Sequence, residues 1–217
     1  MKIKNILTIL VAAAICKSSV AQFEGSKQVY SSPKFKTEIP THKTVAILPF
    51  SATISYRRTP KNFDEAANKA EQSTMATNLQ QGMYTYLLRK SEEYTVSFQD
   101  VERTNALLKQ KGLYDRLNEV PQDSICKALG VDAVVKCSFT YEKTGSEGGA
   151  IVKGVLFGSS FAKTGSGSLT MQVYNGKDGD LLWRFYKEMN EDITSSANEV
   201  MERMMRKVSR NFPYAKS

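Results

Sequence analysis

Two kinds of hydrophobic pattern alternate along the chain and predict a mixed α/β fold. Short apolar runs, or stretches in which apolar and polar residues alternate, predict strands at 44–50, 94–98, 131–141, 168–174 and 180–188. Stretches in which apolar residues recur every three or four positions predict helices at 63–90, 101–111, 123–129 and from 196 onward. The predicted order is β-α-β-α-α-β-insert-β-β-α, a single mixed β-sheet layered with helices.

Capping and turn residues support these boundaries. Asp100 is placed to cap the second helix, and Gly130 is placed to end the third. Ser196 and Glu199 form a capping box for the last helix, whose methionine-rich stripe predicts packing in the core. Residues 175–179 are rich in turn formers and predict the bend of a β-hairpin.

Three segments lack a regular hydrophobic pattern. Residues 22–42 are polar and contain two prolines, which predicts a flexible tether. Residues 51–62 are predicted to form a loop. Residues 143–167 hold seven glycines around an apolar middle, and they predict an insert within one α/β domain that spans 43–213.

The glycine-rich insert is the segment best suited to contact a partner. Its apolar middle supplies the candidate contact residues Ile151, Val155, Leu156, Phe157 and Phe161. Two alternatives stay open at this point. One is an amphipathic contact with a membrane surface, and the other is a loop without a binding role.

The first 21 residues (1–21) predict a cleavable secretory signal peptide. A lysine-containing start precedes a ten-residue apolar run at 6–15, and small residues then lead to a cleavage site between Ala21 and Gln22. The run is shorter than the roughly 20 residues that a membrane-spanning helix needs. Lipidation of Cys16 is the alternative, although Ile15 is larger than the residue that lipoprotein processing favours before the cysteine. Both hypotheses predict export from the cytoplasm.

Charge and candidate chemistry favour binding over catalysis. The net charge is +8, and removal of the three lysines of residues 1–21 would leave +5. This mild basic excess could favour anionic partners such as lipid headgroups or cell-wall polymers, but we interpret it as solvated lysines. His42 is the single histidine, and the chain contains no phosphate-binding loop and no nucleophile elbow. Arg57 and Arg58 are interpreted as a solvated pair and Trp183 as a core anchor. We therefore predict no enzymatic activity, no cofactor, no metal and no nucleic-acid partner.

Two cysteines lie within the predicted domain. Cys126 falls in the short third helix and Cys137 in the third strand. An even count in an oxidising compartment permits one disulfide. Free cysteine is also among the most buried residue types, so two buried thiols are the alternative.

Four segments, in their order and spacing, resemble the CsgG-like family of periplasmic and outer-membrane proteins. The first is 43–50 (KTVAILPF), the third is 128–135 (ALGVDAVV) and the fourth is 174–183 (YNGKDGDLLW). The second begins with a helix at 73–88 and continues through 94–96 (YTV) and 100–103 (DVER) to Leu107 and Leu108. The resemblance covers about residues 43–212 and rests on the series rather than on one motif. It implies a fold like the N-terminal domain of TolB, used for binding and assembly rather than for catalysis.

The same resemblance implies a location and a kind of partner. It places the exported protein in the periplasm or at the outer membrane, in a secretion or surface-assembly system. There it implies binding to another protein, or self-association into a homo-oligomer. Regulation of a cell-wall synthase, as in LpoB-type relatives, and an oligomeric secretion pore are the alternatives. The insert does not alternate as membrane-spanning strands do, which argues against the pore.

Overall fold

A computed structural model of the chain describes residues 27–143, 165–189 and 197–216. Within these ranges the strands are β1 Lys27–Ser31, β2 Thr44–Ile47, β3 Ser51–Tyr56, β4 Ser97–Phe98, β5 Ala133–Lys143, β6 Gly165–Asn175 and β7 Leu181–Met189. The helices are α1 Phe35–Glu38, α2 Glu65–Arg89, α3 Val101–Gln110, α4 Gln122–Leu129 and α5 Ala197–Val208. The predicted signal peptide, its predicted cleavage site, the lipidation candidate, most of the insert and Ser196 lie outside the described residues.

The strands form one open, mixed sheet in the order β1-β7-β6-β5-β2-β4. The half made by β1, β7, β6 and β5 is antiparallel, whereas β2 and β4 pair in parallel. β2 lies beside the first residues of β5, and β3 lies beside its remaining residues, so both flank the same side of that strand. This arrangement confirms the predicted fold class, a single mixed sheet layered with helices.

The two faces of the sheet are covered to different extents. Helices α2 and α5 cover the first face and supply buried methionines to the main core, among them Met83 and Met204. Helices α3 and α4 cover only a smaller cluster on the second face, which includes Leu48 and Val134. Beyond that cluster the second face is polar, and Ser138 and Thr140 of β5 are exposed. The alternation along β5 places every second side chain in the main core.

Two of the predicted helix signals, Asp100 and Gly130, lie where the sequence places them. The side chain of Asp100 accepts a hydrogen bond from the N–H of Arg103 at the start of α3. Gly130 ends α4 with φ of 67°, a left-handed conformation that favours glycine. The long helix α2 begins after Asp64, whose side chain accepts from the N–H of Ala67.

The prediction of a flexible tether over 22–42 is wrong for the part that the structure describes. Residues Lys27–Ser31 form an edge strand that pairs with β7, and α1 follows it. All five residues of β1 are exposed. An edge strand without a buried side produces no hydrophobic pattern, because backbone pairing alone holds it in place.

The loop predicted over 51–62 is also partly wrong, since Ser51–Tyr56 is the strand β3. Ile54 is its one buried residue, so the apolar alternation is too short to identify a strand. The strand predicted at 94–98 is shorter than expected and is confined to Ser97–Phe98. The ends of the predicted insert belong to β5 and β6, which leaves 144–164 between them.

The structure distinguishes between the two hypotheses for the cysteines. Cys126 and Cys137 are both free and buried. Cys137 lies in the main core and Cys126 in the smaller cluster, so the sheet separates the two thiols. Burial raises the pKa of the Cys126 thiol to about 12 and also raises the pKa of Cys137. The two residues are therefore packed as small apolar side chains.

Candidate functional site

The end of the sheet that carries the insert is the first candidate site. The β5–β6 ladder pairs residue by residue from Ala133↔Asn175 to Lys143↔Gly165 without a register shift. The segment 144–164 therefore leaves the sheet and returns to it at directly paired backbone positions. We refer to the side chains around this point, Tyr56, Phe63, Glu71 and Lys143, as the hairpin base.

A buried ion pair lies at the centre of the hairpin base. The Nζ atom of Lys143, the last residue of β5, lies 2.7 Å and 2.9 Å from the two carboxylate oxygens of Glu71 in α2. The two side chains are only 4% and 10% exposed. A charge taken out of water is stable only when it is paired and hydrogen-bonded. The pair therefore links the end of β5, from which the insert begins, to the long helix α2.

One aromatic ring contacts this ion pair, and a second ring packs against the first. The Tyr56 ring centroid lies 5.1 Å from Lys143 Nζ, and the ammonium also lies 3.3 Å from the Tyr56 hydroxyl oxygen. Phe63 meets the edge of the Tyr56 ring at 5.5 Å between centroids and remains 39% exposed. The hairpin base thus combines a buried charged centre with an exposed aromatic rim.

The backbone around the hairpin base is fixed as well. The N–H of Arg57 donates to the carbonyl of Lys143 at 2.9 Å, which extends the β3–β5 pairing to the end of the strand. The Asn68 side chain of α2 donates to the carbonyl of Ile54 at 3.3 Å. Arg57 and Arg58 are exposed beside these contacts. These contacts therefore join the ends of β3 and β5 to each other and to α2.

A polar cleft of about 290 Å³ lies at the opposite end of the sheet. His42 is buried in its wall, with Nδ1 2.8 Å from the Tyr214 hydroxyl and Nε2 3.2 Å from Oδ1 of Asn175. The Asn175 amide in turn donates to Glu38 at 3.3 Å. Burial lowers the pKa of His42 and therefore favours the neutral imidazole.

The polar cleft joins four separate parts of the chain. Asp132 accepts from the N–H groups of Lys43 and Thr44, and these bonds lower the pKa of its carboxyl group. A Cβ atom added at Gly176 would lie 2.6 Å from the carbonyl oxygen of Asp132, so the hairpin turn packs directly against the loop between α4 and β5. The polar groups of the cleft bond mainly to one another, and they clamp together the start of β2, the loop at Asp132, the hairpin turn and the C-terminal tail.

The other residues singled out from the sequence have ordinary places. Trp183 is 1% exposed and stacks against Phe185 with centroids 5.9 Å apart, as expected of a core anchor. Arg57 and Arg58 form no ion pair among those found in the described residues. Over the same ranges, no group of three or more metal-binding side chains occurs, and no helix is long and apolar enough to cross a membrane.

The ion pair of the hairpin base is not among the predicted site residues, although both of its members interrupt a hydrophobic pattern. Glu71 precedes Met75 and Leu79 at four-residue steps on the buried side of α2. Lys143 continues the buried alternation of Phe139 and Tyr141 along β5. A charged residue at a core position of each element is the signal that would have marked Glu71 and Lys143 individually as buried charges.

Comparison with known proteins gives resemblance in structure only. No family model and no curated protein matches the sequence. Lipoprotein GNA1162 from Neisseria meningitidis is 12% identical, with 77% of this chain and 94% of that chain covered and a TM-score of 0.38. The PelC dodecamer from Paraburkholderia phytofirmans is 11% identical, with coverage of 89% and 99% and a TM-score of 0.36. The LpoB C-terminal domain from Salmonella enterica is 11% identical, with coverage of 70% and 85% and a TM-score of 0.34. At these low values, membership of the CsgG-like family stays a prediction.

Proposed function

We propose that this protein is a non-enzymatic, exported envelope protein that binds a protein partner through its glycine-rich insert. The partner belongs to a secretion or surface-assembly system in the periplasm or at the outer membrane. The observation that carries the proposal is the hairpin base, in which a buried ion pair fixes the strand end from which the insert leaves.

The free-energy cost of burying the Glu71–Lys143 ion pair supports a binding role. Burial of two charges is expensive, and a well-packed apolar pair at the same place is often at least as stable. A loop without a role needs no such anchor. An anchored segment, by contrast, meets its partner with less freedom to lose, because its two ends are already fixed.

The chemistry of the insert matches that of a protein contact. Its candidate contact residues Ile151, Val155, Leu156, Phe157 and Phe161 are apolar, and apolar and aromatic side chains dominate the energetically important parts of interfaces. The exposed Phe63 ring at the hairpin base adds an aromatic surface next to the point where the insert begins.

The test is site-specific photocrosslinking in cells that export the full chain. A photoreactive residue at position 157 should crosslink to a defined envelope protein, identified by mass spectrometry. Replacing 144–164 with a glycine–serine segment of equal length, and introducing the photoreactive residue at its middle, should abolish that crosslink. Thermal unfolding should be unchanged, because the exchange leaves the hairpin base intact.

A substitution within the insert tests whether its apolar side chains themselves contact the partner. Leu156→Ser and Phe157→Ser together, with the probe moved to position 155, should lower the crosslink yield strongly. Crosslinks that persist unchanged in the glycine–serine chain would contradict the proposal. A lipid-only crosslink product would assign the insert to the membrane surface instead. If the captured protein is a cell-wall synthase, the role is regulatory rather than part of secretion.

A further inference from the structure

The free side of β1 carries unused backbone hydrogen-bonding groups. The N–H of Ser32 donates to the carbonyl of Leu182 in β7 at 2.9 Å. In an antiparallel pair the bonded residues alternate, so the residues that bond to β7 are Ser32 and every second residue before it. The N–H and C=O groups of the other set, Lys27, Val29 and Ser31, therefore point away from the sheet. We call this side of the strand the β1 edge.

The other edges of the sheet are shielded. β4 is two residues long, and the adjacent Thr95 donates its N–H to the carbonyl of Tyr214 in the C-terminal tail at 2.9 Å. The free side of β3 is met by α2, where Asn68 donates to the carbonyl of Ile54. Natural proteins commonly shorten or cover sheet edges in these ways, since an open edge pairs with other chains.

The β1 edge has no such protection among the described residues. The strand pairs with β7 alone, contains no proline and no bulge, and exposes all five of its residues. Val29 is 43% exposed and Tyr30 is 49% exposed, which makes them two of the four large apolar residues that the described surface leaves open. Exposed apolar side chains on an unshielded edge indicate an interaction surface.

We propose that the β1 edge is the interface for a second copy of this chain, with the two β1 strands antiparallel around a two-fold axis at Val29. In that register Val29 faces Val29 of the second copy, and Lys27 faces Ser31. All three outward-facing residues of each strand are then paired, which forms six backbone hydrogen bonds. The two seven-stranded sheets become one continuous sheet.

The side chains of β1 are self-complementary in this register. Lys27 lies opposite a serine, so the only charge of the strand meets no like charge. A register with the two-fold axis at Lys27 places the two lysines opposite each other, and their like charges repel. A register shifted in the other direction, toward Ser31, leaves outward groups of Lys27 unpaired. Charge and hydrogen bonding are therefore both satisfied when a second copy of β1 pairs in this register.

The contact is small, so the association should be weak. A five-residue edge lies at the low end of specific interfaces, and a dissociation constant of roughly micromolar or weaker is expected. Sedimentation equilibrium of the full exported chain over a wide concentration range should show a monomer–dimer equilibrium. A chain that stays monomeric at the highest attainable concentration would overturn the proposal.

Val29→Pro tests the edge and leaves the hydrogen bonds between β1 and β7 in place. The Val29 N–H points away from β7, so proline removes a donor that only the second copy would use. Two of the six hydrogen bonds are lost per dimer, which should weaken association about tenfold or more. Val29→Thr is the matched control, because it keeps the N–H and a β-branched side chain. Equal association of these two variants would refute the assignment.

A charge pair identifies the two-fold axis and remains informative even if V29P unfolds. V29K and V29E place like charges opposite each other across the axis, so each variant alone should associate about tenfold or more weakly. Their equimolar mixture places Lys opposite Glu and should recover heterodimers. A mixture that associates no better than its separate components would show that Val29 does not meet its own copy.

Discussion

Loss of the Lys143 ammonium is expected to destabilise the protein through the buried carboxylate that it leaves behind. In Lys143→Met the apolar part of the side chain is kept, but Glu71, whose side chain is 10% exposed, loses its charged partner. Removal of one member of a buried ion pair typically costs about 3–5 kcal/mol. The loss is a large fraction of the roughly 5–15 kcal/mol by which a domain is stable. For a domain of this size it corresponds to a fall in Tm of roughly 6–20 °C.

Urea denaturation followed by tryptophan fluorescence measures this loss directly. Trp183 is the single tryptophan of the chain and is 1% exposed, so its emission reports the main core without a second contribution. The midpoint of K143M should fall while the slope of the transition stays the same. The double variant Glu71→Leu/Lys143→Met removes both charges and should recover to within about 2 kcal/mol of the original chain.

An exposed ion pair provides the control. Lys34 bonds to Asp178 and Asp180 at the surface, and its side chain is 51% exposed. Lys34→Met should leave the midpoint nearly unchanged, because solvent already screens that interaction. Two outcomes would contradict this explanation: K143M is no more destabilising than K34M, or the double variant is as unstable as K143M. Either would show that an uncompensated buried charge is not the cause of the loss of stability in K143M.

Further predictions concern the polar cleft and the thiols. Because burial lowers the pKa of His42, the unfolded chain takes up a proton at a higher pH than the folded chain does. The contribution of neutral His42 to the free energy of unfolding should therefore be fully present above about pH 6.5 and should fall below that pH. His42→Asn should reduce this pH dependence in denaturation measured from about pH 8 to 5. Gly176→Ala forces a Cβ atom against the Asp132 carbonyl and should cost about 1–3 kcal/mol in unfolding free energy, and an unchanged midpoint would contradict the packing described for the turn. Cys126 and Cys137 should react with a thiol reagent only after unfolding, and mass spectrometry of the native protein should find no disulfide between them.

Elements that bury one side could be predicted from the sequence with good boundaries. The helix predicted at 63–90 is Glu65–Arg89, and the alternating stretch predicted at 180–188 is Leu181–Met189. In both, burial repeats with the period of the element, so the pattern is written along the chain itself. The short helix before Gly130 was predictable for a second reason, since the glycine supplies the left-handed residue that ends it.

Contacts between distant parts of the chain could not be predicted in the same way. β1 and β3 are held by pairing with β7 and β5, and each has at most one buried residue. The Glu71–Lys143 pair joins residues 72 positions apart, and a lone charge on each element does not identify its partner. The candidate site therefore depends on how elements that are distant in the sequence pack against each other, and local sequence patterns do not reveal that packing.

The clamp at the polar cleft has a consequence for the time course of folding. The hydrogen bond between His42 and Tyr214 joins residues 172 positions apart, and Phe212 in the same tail packs against Trp183 with centroids 6.1 Å apart. Contacts of such long sequence separation are slow to form, because the loop between them must close first. Docking of the tail should accordingly be a late step in refolding, visible as a final slow change in Trp183 emission. A chain shortened before Phe212 should collapse around α2 and yet never show that last phase.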